Sequence, residues 1–130
     1  MKNLVQVALE ADVLHVLIAA VRVVGLHERL RLEGPYTLFA PTDEAFARLP
    51  RETIDVLLGD LRELESLLNY HMIPGKCYSA DIRSARTFRT VQGRMIQVDG
   101  SGGINQARLM KADLEASNGV IHVIDTVLMP

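Results

Sequence analysis

Four histidines, one cysteine and a Ser-His-Asp trio are the residues here whose types could do chemistry. His15, His27, His71 and His122 could ligate a metal or move protons, Cys77 could attack an electrophile, and Ser117, His122 and Asp125 supply the letters of a hydrolase triad. Spacing argues against each of these. The histidines are scattered, with no His-Glu-x-x-His and no cysteine pair, so neither a metal nor a cofactor is expected. Ser117 has no Gly-x-Ser-x-Gly around it. In a strand running from Val120 to Leu128, His122 shares a face with Val120 and Ile124 while Asp125 points to the other. Asp99-Gly100-Ser101-Gly102-Gly103 lacks both the Gly-x-Gly-x-x-Gly spacing and a phosphate-binding lysine. Cys77 stands alone, which excludes an intrachain disulfide, and reads as a small packing residue.

Two polar groups survive this filter. Thr42-Asp43-Glu44 interrupts an apolar run after Pro41, and four features there agree on a helix start. Thr42 is a good N-cap, Asp43 and Glu44 place negative charge at the positive end of the helix dipole, and Phe46 sits at the spacing of a hydrophobic staple. His71 lies where a helix gives way to a strand, with Tyr70 beside it. Its imidazole is expected to pack beneath the Thr42-Asp43 turn and to donate to a nearby oxygen, as a buried polar group must be paired.

These residues need a frame, and the periodicity supplies one. Asn3 caps a short helix through Leu9, and Asp12 a second to Val24, with Leu14, Leu17, Ile18, Val21 and Val24 on one face and Gly25 ending it. One more turn precedes Gly34-Pro35, and Tyr36 to Ala40 reads as a strand. Helices follow after Thr42, after Pro50 as far as Gly59, and from Leu61 to Tyr70. From Lys76 the period changes to two. Alternating runs are split by Gln92-Gly93, Asp99 to Gly103 forms a flexible turn, and a further hairpin turns at Asn105-Gln106. Ser117-Asn118-Gly119 is a turn with Asn118 or Gly119 at positive φ. Val120 to Leu128 is a nearly continuous apolar run, suited to a strand buried on both sides. Helices first, then strands, make the class α+β.

The 130 residues fit one domain, 1–130, and the 48% apolar content is enough for a core built on aliphatic side chains, since Trp is absent. The net charge of −2 hides an asymmetry: from Lys76 to Lys111 seven basic residues face two acidic ones. Arg83, Arg86, Arg89 and Arg94 form the centre of that stretch and could pair bidentately with carboxylate or sulfate. Few aromatics are interleaved, so nucleic acid is not an expected partner. The six-residue apolar run from Val16 to Val21 is too short to span a bilayer, so no membrane insertion is expected. No leader is visible either, and a cytoplasmic site or a removed leader both stay open.

Three stretches then match one family in order and spacing. "TLFAPTDEAFARLP", "LLNYHMIPGK" and "ASNGVIHVIDTVLMP" resemble the hallmark segments of the fasciclin-like domain, and the resemblance covers the chain from Asn3 to Pro130. It implies a wedge of two packed β-sheets, about seven strands, with several flanking α-helices. It also implies a non-catalytic adhesion module located outside the cell, in the periplasm or at the cell surface. In animal members a Tyr-His pair among branched apolar residues is implicated in integrin-type recognition, and the matching positions are Tyr70 and His71 beside Leu67 and Met72. A second implicated pair aligns with Asp113-Leu114. Here it is preceded by Lys111-Ala112, and Glu115 places a charge where an apolar residue follows, so integrin binding is not expected. Thr42, Asp43, Phe46, Asn118, Gly119 and His122 belong to the structural motif.

The partner expected from the resemblance is a surface or matrix protein or glycan, bound at the Tyr70-His71 region or at the arginine group. A carrier of a small apolar ligand and a weakly self-associating structural unit are the alternatives. A carrier should hold a closed apolar pocket with converging polar groups, whereas an adhesion module should show an exposed patch without one.

Overall fold

A computed structural model describes residues 2–99, 103–105 and 107–130. The N-terminal half is helical. α1 spans Leu4–Ala11, opened by a capping box between Asn3 and Gln6. α2 spans His15–Val23 and α3 His27–Leu32, with Gly25 between them at φ 81°. Asp12, expected to cap α2, instead closes α1 in the left-handed conformation. β1, Tyr36–Pro41, leads into α4 at Asp43–Ala47, where the Thr42 hydroxyl accepts from the Ala45 N–H at 3.1 Å as expected of a cap. α5, Arg51–Gly59, and α6, Leu61–Asn69, complete the helical layer.

The second half departs from a plain run of strands. β2 is Met72–Pro74, and a short helix, α7 at Ser79–Ser84, occupies ground expected to alternate. β3, Thr87–Arg89, and β4, Met95–Gln97, form a separate antiparallel hairpin. β5, Leu109–Ala116, and β6, Gly119–Ile124, are the last strands. Six strands are thus present among the described residues, against about seven expected. The hairpin foreseen at Asn105-Gln106 is reduced to single bridges, Val98 with Ile104 and Ile104 with Ala107, and Gln106 itself lies outside the described residues. So do Gly100 to Gly102 of the expected flexible turn. β6 stops at Ile124 rather than Leu128. The Asp125 carboxylate accepts from the Arg108 N–H there at 2.9 Å, although Val127 and Leu128 beyond it stay buried.

The main sheet runs β2-β1-β6-β5, with β1 and β6 parallel and the other pairs antiparallel. Phe39 pairs with His122 while Leu38 pairs with Ile121, so the period of two sends alternate residues to opposite faces. Leu38, Ala40, Ile121 and Val123 face a core shared with the helices. Phe39 and Ile124 face a second core shared with Ile82, Ile96 and Ile104. The sheet is therefore covered on both sides, and every residue of β6 is buried as the apolar run foretold. The result is a three-layer domain: helices, main sheet, then the α7 and hairpin layer. Gly119 is not at positive φ, and neither is Asn118. The glycine serves close approach instead: a Cβ at Gly119 would stand 2.1 Å from the Tyr36 carbonyl oxygen.

Candidate functional site

The residues that looked most chemical are used inside the fold. His71 is 1% exposed. Its Nδ1 donates to the Leu67 carbonyl at 2.7 Å, and its Nε2 accepts from the Leu128 N–H at 2.9 Å. The ring therefore ties the end of α6 to the C-terminal segment, and not to the Thr42-Asp43 turn expected from sequence. Burial drives its pKa down to about 4, against the pull of the Leu67 carbonyl, so it is neutral at physiological pH. Tyr70 is likewise buried, its hydroxyl donating to the Met95 carbonyl at 2.9 Å and accepting from the Asn105 amide at 2.7 Å. Leu67 and Met72 are buried beside them. The structure thus places the whole Tyr70-His71 group in the interior, where it joins layers and offers no open surface.

His122 is built the same way. Its Nε2 donates to the Cys77 carbonyl at 2.7 Å, and its Nδ1 accepts from the Asp113 N–H at 3.1 Å, while its ring stacks on Phe39. Burial lowers its pKa as well. Asp113 sits at φ 61° where β5 shifts register. Its carboxylate accepts from the Ser79 N–H at 2.8 Å and the Ser79 hydroxyl at 2.6 Å. It so satisfies an orphan donor in the first turn of α7. Leu114 is half-buried against the helical core. Asn118 performs a third join: it accepts from the Leu4 N–H and donates to the carbonyls of Leu30 and Glu33, both at 2.7 Å.

Asp43 has a task that local sequence does not show. Its Oδ1 accepts from the Val16 N–H at 2.8 Å and its Oδ2 pairs with His15 Nδ1 at 2.8 Å, so it caps α2, which has no cap of its own. Burial pushes its carboxyl up, but the Val16 N–H and His15 outweigh that and hold it below the usual range. The same bond raises the His15 pKa. Phe46, the staple position, is buried among the helices.

Two solvent-exposed features stand out among the described residues. Arg83, Arg86, Arg89 and Arg94 are all exposed, and among the described residues no carboxylate lies within 4 Å of any of their guanidinium groups. The fold divides them into pairs. Arg83 and Arg86 line a shallow depression between α7 and the hairpin, and Arg89 and Arg94 stand where β3 turns into β4. The second feature was not foreseen. An apolar groove of about 390 Å³ runs between α2, α4, α5 and α6, lined by Val16, Ala20, Val23, Phe46, Leu57 and Leu58 among others. Asp43 is the one charged residue in its lining among the described residues, and both of its oxygens are engaged. The groove is open and has no converging polar set, which separates it from the closed pocket of a carrier. Its signal in the sequence was a second apolar stripe on α2, Val16, Ala19, Ala20 and Val23, beside the core-facing one.

Comparison with known proteins agrees with this architecture. The fasciclin domain family model matches residues 12–130. The chain is 39% identical over 131 residues to protein sll1735 of Synechocystis sp., covering 99% of this chain and 98% of that one. It is 41% identical over 100 residues to the cell surface glycolipoprotein MPB83 of Mycobacterium bovis, covering 75% of this chain and 44% of that protein. Among solved structures, a FAS1 domain pair from the insect cell adhesion molecule fasciclin I superposes with a TM-score of 0.69 at 25% identity, over 92% of this chain and 46% of the other.

Proposed function

The chain belongs to the fasciclin domain family, and from that premise we propose that it is a non-catalytic interaction module that binds a cell-surface or matrix protein or glycan. A site outside the cell, in the periplasm or at the surface belongs to the same reading, supported by the relatives named for the cell surface and for adhesion. The observation that carries it is the set of four exposed arginines on α7, the segment after it and the β3-β4 hairpin, none with a carboxylate within 4 Å among the described residues. A surface guanidinium with no carboxylate at ion-pair distance keeps its paired donors for an external carboxylate or sulfate. The interior supports the non-catalytic part. Both ring nitrogens of His71 and of His122 are consumed by the fold, so neither can exchange a proton without breaking a structural bond.

The test is binding of the labelled, folded domain to intact cells and isolated matrix across a salt series. Exposed charges are screened within about 8 Å at physiological ionic strength, so saturable binding that weakens as salt rises is the expected result. Replacing Arg83, Arg86, Arg89 and Arg94 together by Gln should abolish it while leaving the fold intact. Binding untouched by that replacement would show the arginines to be an ordinary solvated face. Absence of saturable binding to either material would favour the self-associating structural unit.

A further inference from the structure

α2 carries apolar side chains on two faces, of which the fold covers one. Its sequence, His15-Val-Leu-Ile-Ala-Ala-Val-Arg-Val23, holds one arginine and otherwise apolar residues after the histidine. Leu17 and Val21 face the core at 1% and 6% exposure, whereas Val16 and Val23 on the groove side are 43% and 60% exposed. A helix that is apolar nearly all round is normally buried all round. Across the groove, Leu58 of α5 is 68% exposed, so both walls present apolar surface to water.

We propose that this groove receives a short, basic amphipathic helix from a partner protein. Three observations point to that occupant. Val16 and Val23 are seven residues apart, about 10.5 Å along α2 at 1.5 Å per residue. That is the distance spanned by helix anchors at i, i+4 and i+7 in a groove-binding segment. Between them Ala19 and Ala20 are small, which leaves the recess that a large apolar anchor would fill. The charge is complementary to a cation. The four helices that form the groove carry Asp43, Glu44, Glu52, Asp55, Glu63 and Glu65 against Arg22, Arg51 and Arg62; Asp43 in the lining is already paired with His15 and Val16, so the attraction comes from the other acids of these helices. Two copies of this chain meeting groove to groove would set acid against acid, so a second copy fits poorly. The inference rests on the interaction-module reading but uses a different surface, since none of the four arginines lines the groove.

The probe is a labelled, Lys-rich helical peptide with Leu at i, i+4 and i+7, titrated against the protein by fluorescence anisotropy. Two control peptides carry Leu→Ala and Lys→Glu throughout. A groove-filling variant carries Ala19→Phe and Ala47→Phe; both positions are exposed on helices, and circular dichroism checks its fold. Saturable one-to-one binding is expected, at least tenfold weaker for either control peptide and for the filled protein. Equal binding to the filled variant would overturn the proposal, as would equal binding of the Lys→Glu peptide. A concentration-dependent dimer that the filling variant abolishes would overturn it too, because a second copy would then cover the groove. The fourfold Arg→Gln variant should bind the peptide unchanged, so loss of matrix binding and loss of peptide binding report on separate surfaces.

Discussion

Replacing His71 by Ala should remove a pH dependence as well as stability, and the two effects can be separated. In the fold the ring is neutral, with a pKa lowered from 6.5 to about 4 by burial. In the unfolded chain it titrates near its ordinary value. Between those two values the unfolded state binds the proton and the folded state refuses it, so stability falls as pH drops from about 6.5 toward 4 and levels off below. The gap corresponds to about 3 kcal/mol. At neutral pH the substitution removes a packed ring and leaves the buried Leu128 N–H unpaired, together costing about 3–5 kcal/mol.

The comparison that matters is the difference between the native and His71→Ala proteins, measured by urea denaturation at several pH values. Other groups contribute to the pH dependence too, among them His122, lowered by burial, His15, raised by its bond to Asp43, and at the acid end Asp43, Asp113 and Asp125 with lowered pKa values. They are shared by both proteins and cancel to the extent that distant sites are additive. The cost of the substitution should therefore shrink by about 3 kcal/mol between neutral pH and pH near 4, because the native protein has by then lost the advantage of a neutral histidine. His71→Gln, uncharged at every pH, serves the same comparison if the Ala variant is too unstable. Parallel pH curves for native and variant proteins would refute the buried, neutral assignment, and full retention of thermal stability would refute the structural role altogether.

Two further outcomes follow from the joins around β6. Gly119→Ala would drive a Cβ to 2.1 Å from the backbone oxygen of Tyr36, where nothing flexible can yield, so a loss of about 2 kcal/mol or more is expected in chemical denaturation. Asn118→Asp keeps an acceptor for the Leu4 N–H but deletes both donations to Leu30 and Glu33, setting a charge beside two carbonyls. A drop of about 2–4 kcal/mol should accompany it, and hydrogen exchange should rise first in α1 and α3, the helices that Asn118 secures.

Local rules were readable in the sequence wherever the physics was local. Asn3 and Thr42 cap the helices assigned to them, because a capping side chain reaches only two or three residues ahead. The apolar run after Gly119 foretold a strand buried on both faces, because neither face carries the polar alternation of a solvated strand. What escaped was long-range pairing. Asp12 was the natural local cap for α2, yet the position is filled by Asp43, 27 residues further on from Val16. Asp113 similarly serves α7 from 34 residues away, and no periodicity records either bond. His71 was legible as a buried, paired group, but its partners were not: the Leu67 carbonyl and the Leu128 N–H take the place expected for the Thr42-Asp43 turn. The partners of Tyr70 at Met95 and Asn105 are likewise 25 and 35 residues away. The arginines were legible as exposed since an unpaired guanidinium is too costly to bury. The groove was half-legible: the second stripe on α2 was present, but one helix alone cannot show whether a neighbour covers it.

The layered topology gives these surfaces a spatial relation that neither has alone. The helices α1 to α6 pack on one face of the main sheet, and α7 with the strands of the β3-β4 hairpin packs on the other, while the hairpin turn reaches back to the end of α6. Charge is sorted along the same axis, acidic on the groove-forming helices and basic on the hairpin side. Were the anionic matrix or glycan proposed above the partner, the basic side of the domain would be drawn toward it. Such a contact would leave the groove free for a cationic segment of another protein, since none of the four arginines lines it. The two buried histidines answer to the interior and not to this sorting: a charged imidazole there would lose its water, and each ring already spends one nitrogen as donor and the other as acceptor within the fold.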